Sequence, residues 1–190
     1  MAIQATIGFV ELTSIAKGIE VSDVMMKSAG VELVFARIAT KGKYFILVTG
    51  MQSDVESAMR AALEIGGATV LDSSIIRNVH PQVVEALPDL RDVREIEAIG
   101  IIEAWSVASI LRAADAAVKA AQVQIIEINQ AKGIGGKSYV IITGEVGAVR
   151  SAMNAGVPQV KPDLLIQKVL IPKAHDALRK SLLKPEKKAG

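Results

Sequence analysis

The sequence predicts an α+β fold built twice, as two tandem domains of ferredoxin-like layering with the order β-α-β-β-α-β in each. Three observations predict it. The chain repeats itself in order at a nearly constant spacing. Each copy alternates β-branched runs with stretches of helical period. The 190 residues are 51% hydrophobic but only 3% aromatic, which gives an aliphatic, alanine-rich core and leaves apolar surface to be buried between subunits. That element order makes a sheet with both helices packed on one face.

The repeat is read directly from the residues. "IGFVELTSIAKGIEVSDVMMKSAGVEL", from Ile7, matches "IGIIEAWSVASILRAADAAVKAAQVQI", from Ile99, and pairs Gly8 with Gly100, Glu11 with Glu103, Lys27 with Lys119 and Val31 with Val123 at an offset of 92. Thr49 and Gly50 fall on Thr143 and Gly144 at an offset of 94, and His80 falls on His175 at 95. The expected division is 1–90 for the first domain, 91–98 for a linker within the charged stretch "PDLRDVREIE", 99–183 for the second domain and 184–190 for a frayed, disordered tail.

Each element has a local reason. The first strand is Thr6 to Glu11. The helix after it places Ile15, Ile19, Met25, Met26 and Ala29 near one face, and its counterpart places Val107, Ile110, Ala114, Ala117, Val118 and Ala121 likewise. Thr13 or Ser14, and Ser106 in the second copy, are the N-cap candidates. "VELVFARI" and "VQIIEINQ" are second strands, and "KYFILVTG" and "SYVIITG" are third strands. Helices follow from about Ser53 to Ile65 and from Glu145 to Ala155, then last strands in "TVLDSSII" and "LLIQKVLI", then a short segment after each histidine.

The loop before "SYVIITG" is rich in glycine. In "AKGIGGKSYVIITG", Gly136, Lys137 and Ser138 fit the end of a P-loop, but Ala131 stands where its first glycine belongs. A P-loop also runs into a helix, and this segment runs into a strand. A glycine-rich hairpin is the better reading. "KGIGGKS" is two residues longer than "TKGKY" in the first copy. Glycine there permits positive φ and close backbone packing where several chains converge.

Several functions are disfavoured. The chain has no cysteine, so disulfides, thiolate metal sites and cysteine nucleophiles are excluded. A net charge of +2 without a basic cluster before the C-terminus argues against nucleic-acid binding. No signal peptide and no membrane-spanning run are read, so a soluble cytoplasmic protein is expected. His80 and His175 lack a second ligand at metal spacing, which favours an edge or packing role. Glu11 and Glu103 are related by duplication, no partner for acid–base chemistry is evident, and helix or loop hydrogen bonding is expected of them. Trp105 is expected in a core or domain interface. With no nucleophile–base or metal constellation, the chain is expected not to be an enzyme.

Taken in order, "IGFVELTSIAKGI", "AWSVA", "VKAAQV", "GIGGKSY" and "IPKAHDAL" resemble the bacterial microcompartment shell proteins, in the class with two tandem BMC domains per chain. The resemblance runs from Ile7 to about Leu183. It implies a homotrimer of pseudohexameric outline that tiles with other shell proteins in the shell of a microcompartment in the bacterial cytoplasm. Loop residues Lys132, Gly133, Ile134, Gly135, Gly136, Lys137 and Ser138 would line a central pore for small metabolites, with the lysines setting its polarity. Lys27 and Lys119 match the family's edge lysine. Asn78 and His80, and Lys173 and His175, match its edge segment, with Asn78 and Lys173 in place of an arginine whose planar fork neither reproduces. One relative holds an iron–sulfur cluster through a loop cysteine. Ser138 is read at that position, and a hydroxyl is a poor ligand for such a cluster, so no cofactor is expected. The alternative is a duplicated ferredoxin-like regulator that binds a small metabolite.

Overall fold

The structure is a computed structural model that describes residues 6–87, 93 and 95–183. Its first half runs β1 (Thr6–Leu12), α1 (Ile15–Ser28), β2 (Glu32–Ala39), β3 (Lys43–Gly50), α2 (Gln52–Gly66), β4 (Val70–Ile76) and α3 (Pro81–Ala86). The second half runs β5 (Ala98–Ala104), α4 (Val107–Ala120), β6 (Gln124–Asn129), β7 (Ser138–Gly144), α5 (Val146–Gly156), β8 (Leu165–Ile171) and α6 (Asp176–Leu182). The two sheets have the orders β2-β3-β1-β4 and β6-β7-β5-β8, antiparallel throughout. Their registers coincide: Ile7 lies opposite Thr49 and Ile76, and Ile99 opposite Thr143 and Ile171. The expected linker falls partly, and the expected tail wholly, outside the described residues. β5 begins at Ala98, where that linker was expected to end.

Ser14 and Ser106 start the equivalent helices. Each has extended backbone, and each hydroxyl accepts from an N–H three residues on, Lys17 and Ser109 respectively. Glu145 starts α5 by accepting from the N–H groups of Gly147 and Ala148. Gly8 and Gly100 repeat for a packing reason. A Cβ on Gly8 would stand 2.8 Å from Met59, and one on Gly100 2.8 Å from Val149, because α2 and α5 rest directly on these strands. Val10 and Leu12 face the helices of the first half, whereas Ile7 and Phe9 join the large core shared with the second half.

The apolar face expected for α1 differs from the observed one. Gly18, Val21 and Met25 are buried, but Ile19 and Met26 are exposed. The equivalent α4 buries Val107, Ile110, Ala114, Ala117 and Val118 as expected, and Leu111 and Asp115 besides. The cause is position. α4 is wedged between the halves and packs on β4 and β1 of the first as well as on its own sheet. Among the described residues, α1 packs chiefly on the sheet and α2 of its own half.

Candidate functional site: the seam between the halves and its loops

The hairpin loops of both halves meet at one end of the seam. Thr40 Oγ1 donates to the Ala131 carbonyl at 2.5 Å, and the Lys41 side chain lies over Gly135 and Gly136. Lys41 Nζ and Lys137 Nζ stand 5.1 and 5.5 Å from the centre of the Trp105 ring. Trp105 therefore sits at the domain junction, as its position suggested. The sequence reading missed Lys41 and Lys43 as companions of the long loop. Their equivalence to the second loop, Lys43 standing at the place of Lys137, was the available signal.

Of the seven residues expected to line a pore, Lys132 and Gly133 are exposed and Ile134, Gly135 and Lys137 half-buried. Ser138 and Gly136 do not fit that expectation in the chain itself. Ser138 is fully buried at the start of β7 and donates to the Asn129 carbonyl at 2.6 Å, while Gly136 is covered by Lys41. Nor do these residues suit an iron–sulfur cluster. The chain has no thiolate to offer, and the Ser138 hydroxyl is committed to a backbone acceptor. Lys137 is held 3.1 Å from Glu103, so much of its charge is balanced locally.

Below the loops, Glu11 is wholly buried. Its Oε1 accepts from Lys43 Nζ at 2.7 Å and its Oε2 from the Val107 N–H at 2.9 Å. Lys43 also donates to the carbonyls of Trp105 and Gly136. Burial raises the Glu11 pKa, against the pull of Lys43 and the helix-start N–H groups. Glu11 thus fastens the N-terminus of α4 across the seam, a helix-binding role rather than acid–base chemistry. Lys43 is a partner that sequence reading did not bring to it.

Midway along the seam, Asp72 of β4 is the fixed point. Its Oδ2 accepts from the hydroxyls of Ser106 and Ser109 at 2.6 Å each and from Arg112 at 3.2 Å, and its Oδ1 lies 2.8 Å from Lys161. Arg112 reaches on to the Ser73 carbonyl. Burial pushes the carboxyl upward, but the bonds from Lys161, Ser106 and Ser109 and the charge of Arg112 outweigh it and hold the pKa at about 2.

At the far end lie three of the six expected edge residues. Lys119 pairs with Asp115 and donates to the Arg77 carbonyl at 3.1 Å, and Asp115 accepts the His80 N–H at 2.8 Å. Asn78 turns the chain between them at φ 47, a conformation asparagine tolerates. Gln82 clasps the Val123 carbonyl and the Ile125 N–H. A groove of about 1200 Å³ opens beside them, lined by His80, Lys119, Gln122 and Glu145 among others. Lys27 repeats the lysine–aspartate pair with Asp23 at 2.6 Å, yet among the described residues nothing joins it to Lys173 or His175. Both histidines cap the short helices that follow them, His80 Nδ1 accepting from the Gln82 N–H and His175 Nδ1 from the Ala177 N–H. Among the described residues no group of three or more His, Cys, Asp or Glu side chains could hold a metal ion.

Two equivalent α+β units fused on a shared core, with hairpin loops gathered at one end of the seam and the Lys119–Asp115 pair at the other, define the class. The BMC domain profile matches residues 6–79 and again 98–174. The chain belongs to the bacterial microcompartment shell protein family and carries two BMC domains. It is 36% identical over 178 residues to the shell protein PduT of Citrobacter freundii, covering 93% of this chain and 97% of that one. A crystal structure of a microcompartment protein from Desulfitobacterium hafniense DCB superposes with a TM-score of 0.78 at 44% identity, covering 92% of this chain and 98% of that chain. The shell protein PduA of Citrobacter freundii is 36% identical over 90 residues, 46% of this chain and 94% of its own length.

Proposed function

We propose that the chain is a homotrimeric, pseudohexameric tile of a microcompartment shell, with the two hairpin loops of each copy gathered around a central pore. One observation carries this reading. Five exposed apolar side chains occupy places where the other half has a buried residue, one of them Leu178 of α6 (40% exposed) at the place of Val83 (0%). Ile19 (57% exposed) stands where Leu111 is at 0%, and Met26 (37%) where Val118 is at 8%. Ile38 (63%) stands where Gln130 is at 2%, and Val169 (40%) where Ser74 is at 4%. The buried set lies along the seam inside the chain. The exposed set is the same seam left open, on α1 and β2 at one side of the molecule and on β8 and α6 at the other. A second copy docking α1 on β8 would close it, and a head-to-tail contact of this kind makes a ring when, like the seam inside the chain, it turns each unit by the same closing rotation.

In that ring Lys27 would meet Lys173 and His175 of the adjoining copy, as Lys119 meets the segment around Asn78 and His80 within one chain. Edge groups would then recur around the tile, with the groove beside Lys119 open to other shell proteins. The pore would pass small metabolites and carry no cluster. Of the loop lysines, Lys43 is paired with Glu11 and Lys137 with Glu103, so the preference for anions is expected to rest chiefly on Lys41 and to be mild. The part is structural rather than catalytic, since the buried Glu11 carboxylate is committed to Lys43 and to α4.

Electron microscopy of the purified protein, alone and mixed with a single-domain shell protein, tests the reading. Flat particles of sixfold outline that enter sheets are expected. Saturable calorimetric binding of one metabolite, with no sheets under any condition, would instead favour the regulatory alternative.

A further inference from the structure

The ion pair that fastens α4 inside the chain occurs a second time, on the open side, without a helix to hold. Glu11 and Glu103 occupy one register place. Glu11 lies opposite Phe45 and Asp72, Glu103 opposite Tyr139 and Gln167, and each strand shifts register directly after its glutamate. Lys43 and Lys137 are also equivalent, and each reaches its carboxylate at Oε1, at 2.7 and 3.1 Å. The two pairs differ in what covers them. The Glu11 side chain is fully buried, and its Oε2 accepts the Val107 N–H at the start of α4. The Glu103 side chain is 29% exposed, and among the described residues Lys137 is the one group paired with it. The helix starts differ in the same sense. Ser106, Val107 and Ala108 are wholly buried, whereas Ser14 and Ile15 are half-buried and Ala16 is exposed. Ser14 caps α1 as Ser106 caps α4, so both helices begin with one geometry. Ile15 is the first residue of α1, and its N–H has no carbonyl of its own helix to reach.

We propose that Glu103 of one copy receives the start of α1 of the next, its Oε2 accepting the Ile15 N–H while Lys137 holds Oε1. The inference rests on the trimeric reading and names the residues that fasten each open seam. The occupant is a second copy of this chain. The carboxylate, its lysine, the serine cap and the helix start each occur twice in the sequence, and one set is already joined within the chain. The carboxylate and the helix start of the other set lie on opposite flanks, the flanks that the exposed apolar set brings together. A carboxylate at a helix start is favoured by the unpaired N–H groups and by the helix dipole, and more so once water is excluded. Lys137 then has a task beyond the loop: it keeps Glu103 ionised when the seam closes over it. Joints of one kind would alternate around the tile, within a chain and between chains.

Proline separates the N–H from the helix. It is favoured at the first helical position, and Ser14, extended at φ −126 and ψ 125, suits the residue before it. Ile15→Pro therefore removes the donor and leaves α1 intact, and Ile15→Ala controls for the lost side chain. Sedimentation equilibrium compares the full-length wild type with Glu103→Ala, Ile15→Ala, Ile15→Pro, and Glu103→Ala combined with Ile15→Pro. Glu103→Ala is expected to raise the concentration for half-assembly about tenfold or more, and Ile15→Pro to raise it by a similar factor above Ile15→Ala. The combined variant should fall short of the product of the two effects, because both changes remove one bond. Urea unfolding of the disassembled chains supplies the contrast. Glu103→Ala should leave it near wild type, whereas Glu11→Ala should lower the midpoint, since Glu11 already holds its helix inside the chain. A wild-type trimer whose assembly is unmoved by Glu103→Ala, or by Ile15→Pro relative to Ile15→Ala, would overturn the joint and leave the trimer standing. Effects that multiply in full would also overturn it. A wild type that stays monomeric at every concentration would overturn the joint and the trimeric reading together.

Discussion

Asp72 shows how much one side chain can organise. Its carboxyl sits at about 2, below the ordinary value of 3.8, because two serine hydroxyls and two cations favour the ionised form over the cost of burial. A group whose folded pKa is depressed adds stability above its unfolded pKa, and that stability is lost as pH falls from near 4 toward 2. Glu11, raised by burial, acts with the opposite sign over its own window, so the two are separated only by mutation. Asp72→Asn is expected to cost about 2 kcal/mol at neutral pH and to flatten the acid limb of the stability profile, measured by urea unfolding at several pH values. At the loop, Gly136 has φ +84, and an added Cβ would lie 3.3 Å from Lys41. Gly136→Ala should destabilise the chain by about 1–2 kcal/mol, read as a lower urea midpoint. The serine caps were legible in sequence because capping is local. The Lys43–Glu11 pair was not, since its partners are 32 residues apart and meet only when β1 pairs with β3.

At the scale of elements, α1 and α4 carry one pattern to two outcomes. Helical period located both helices and suggested their core faces. It could not tell that α4 would have a second wall to bury Leu111 and Asp115, or that Ile19 would lack one. Period reports which residues are apolar, while the number of covered faces is set by what packs beside the helix. The consequence is a contrast between equivalent positions. Leu111→Ala removes a fully buried side chain and should cost about 2–5 kcal/mol in unfolding of the chain. Ile19→Ala should change unfolding of the disassembled chain by less than about 0.5 kcal/mol, and weaken self-association instead. The pair is checked by denaturation and sedimentation on the same samples. The burial of Ser138 has a similar origin. A glycine-rich loop is visible in sequence, but where it ends and β7 begins depends on register with β5, where Ser138 lies opposite Ala104.

The whole molecule is two equivalent units joined by one closed seam, with the two halves of the same seam exposed at its flanks. The duplication and the element order could be read from the residues because repeats need no knowledge of contacts. The seam could not, since it joins Asp72 to Ser106 and Glu11 to Val107 across the duplication. The decisive measurement is the native mass of the wild-type protein by gentle mass spectrometry. A ring of three closed by α1 on β8 gives a species near three times 20.1 kDa, with no added mass of iron or sulfide. A monomer or dimer as the largest species would contradict the tile, and a trimer carrying extra iron and sulfide would contradict the place given to Ser138.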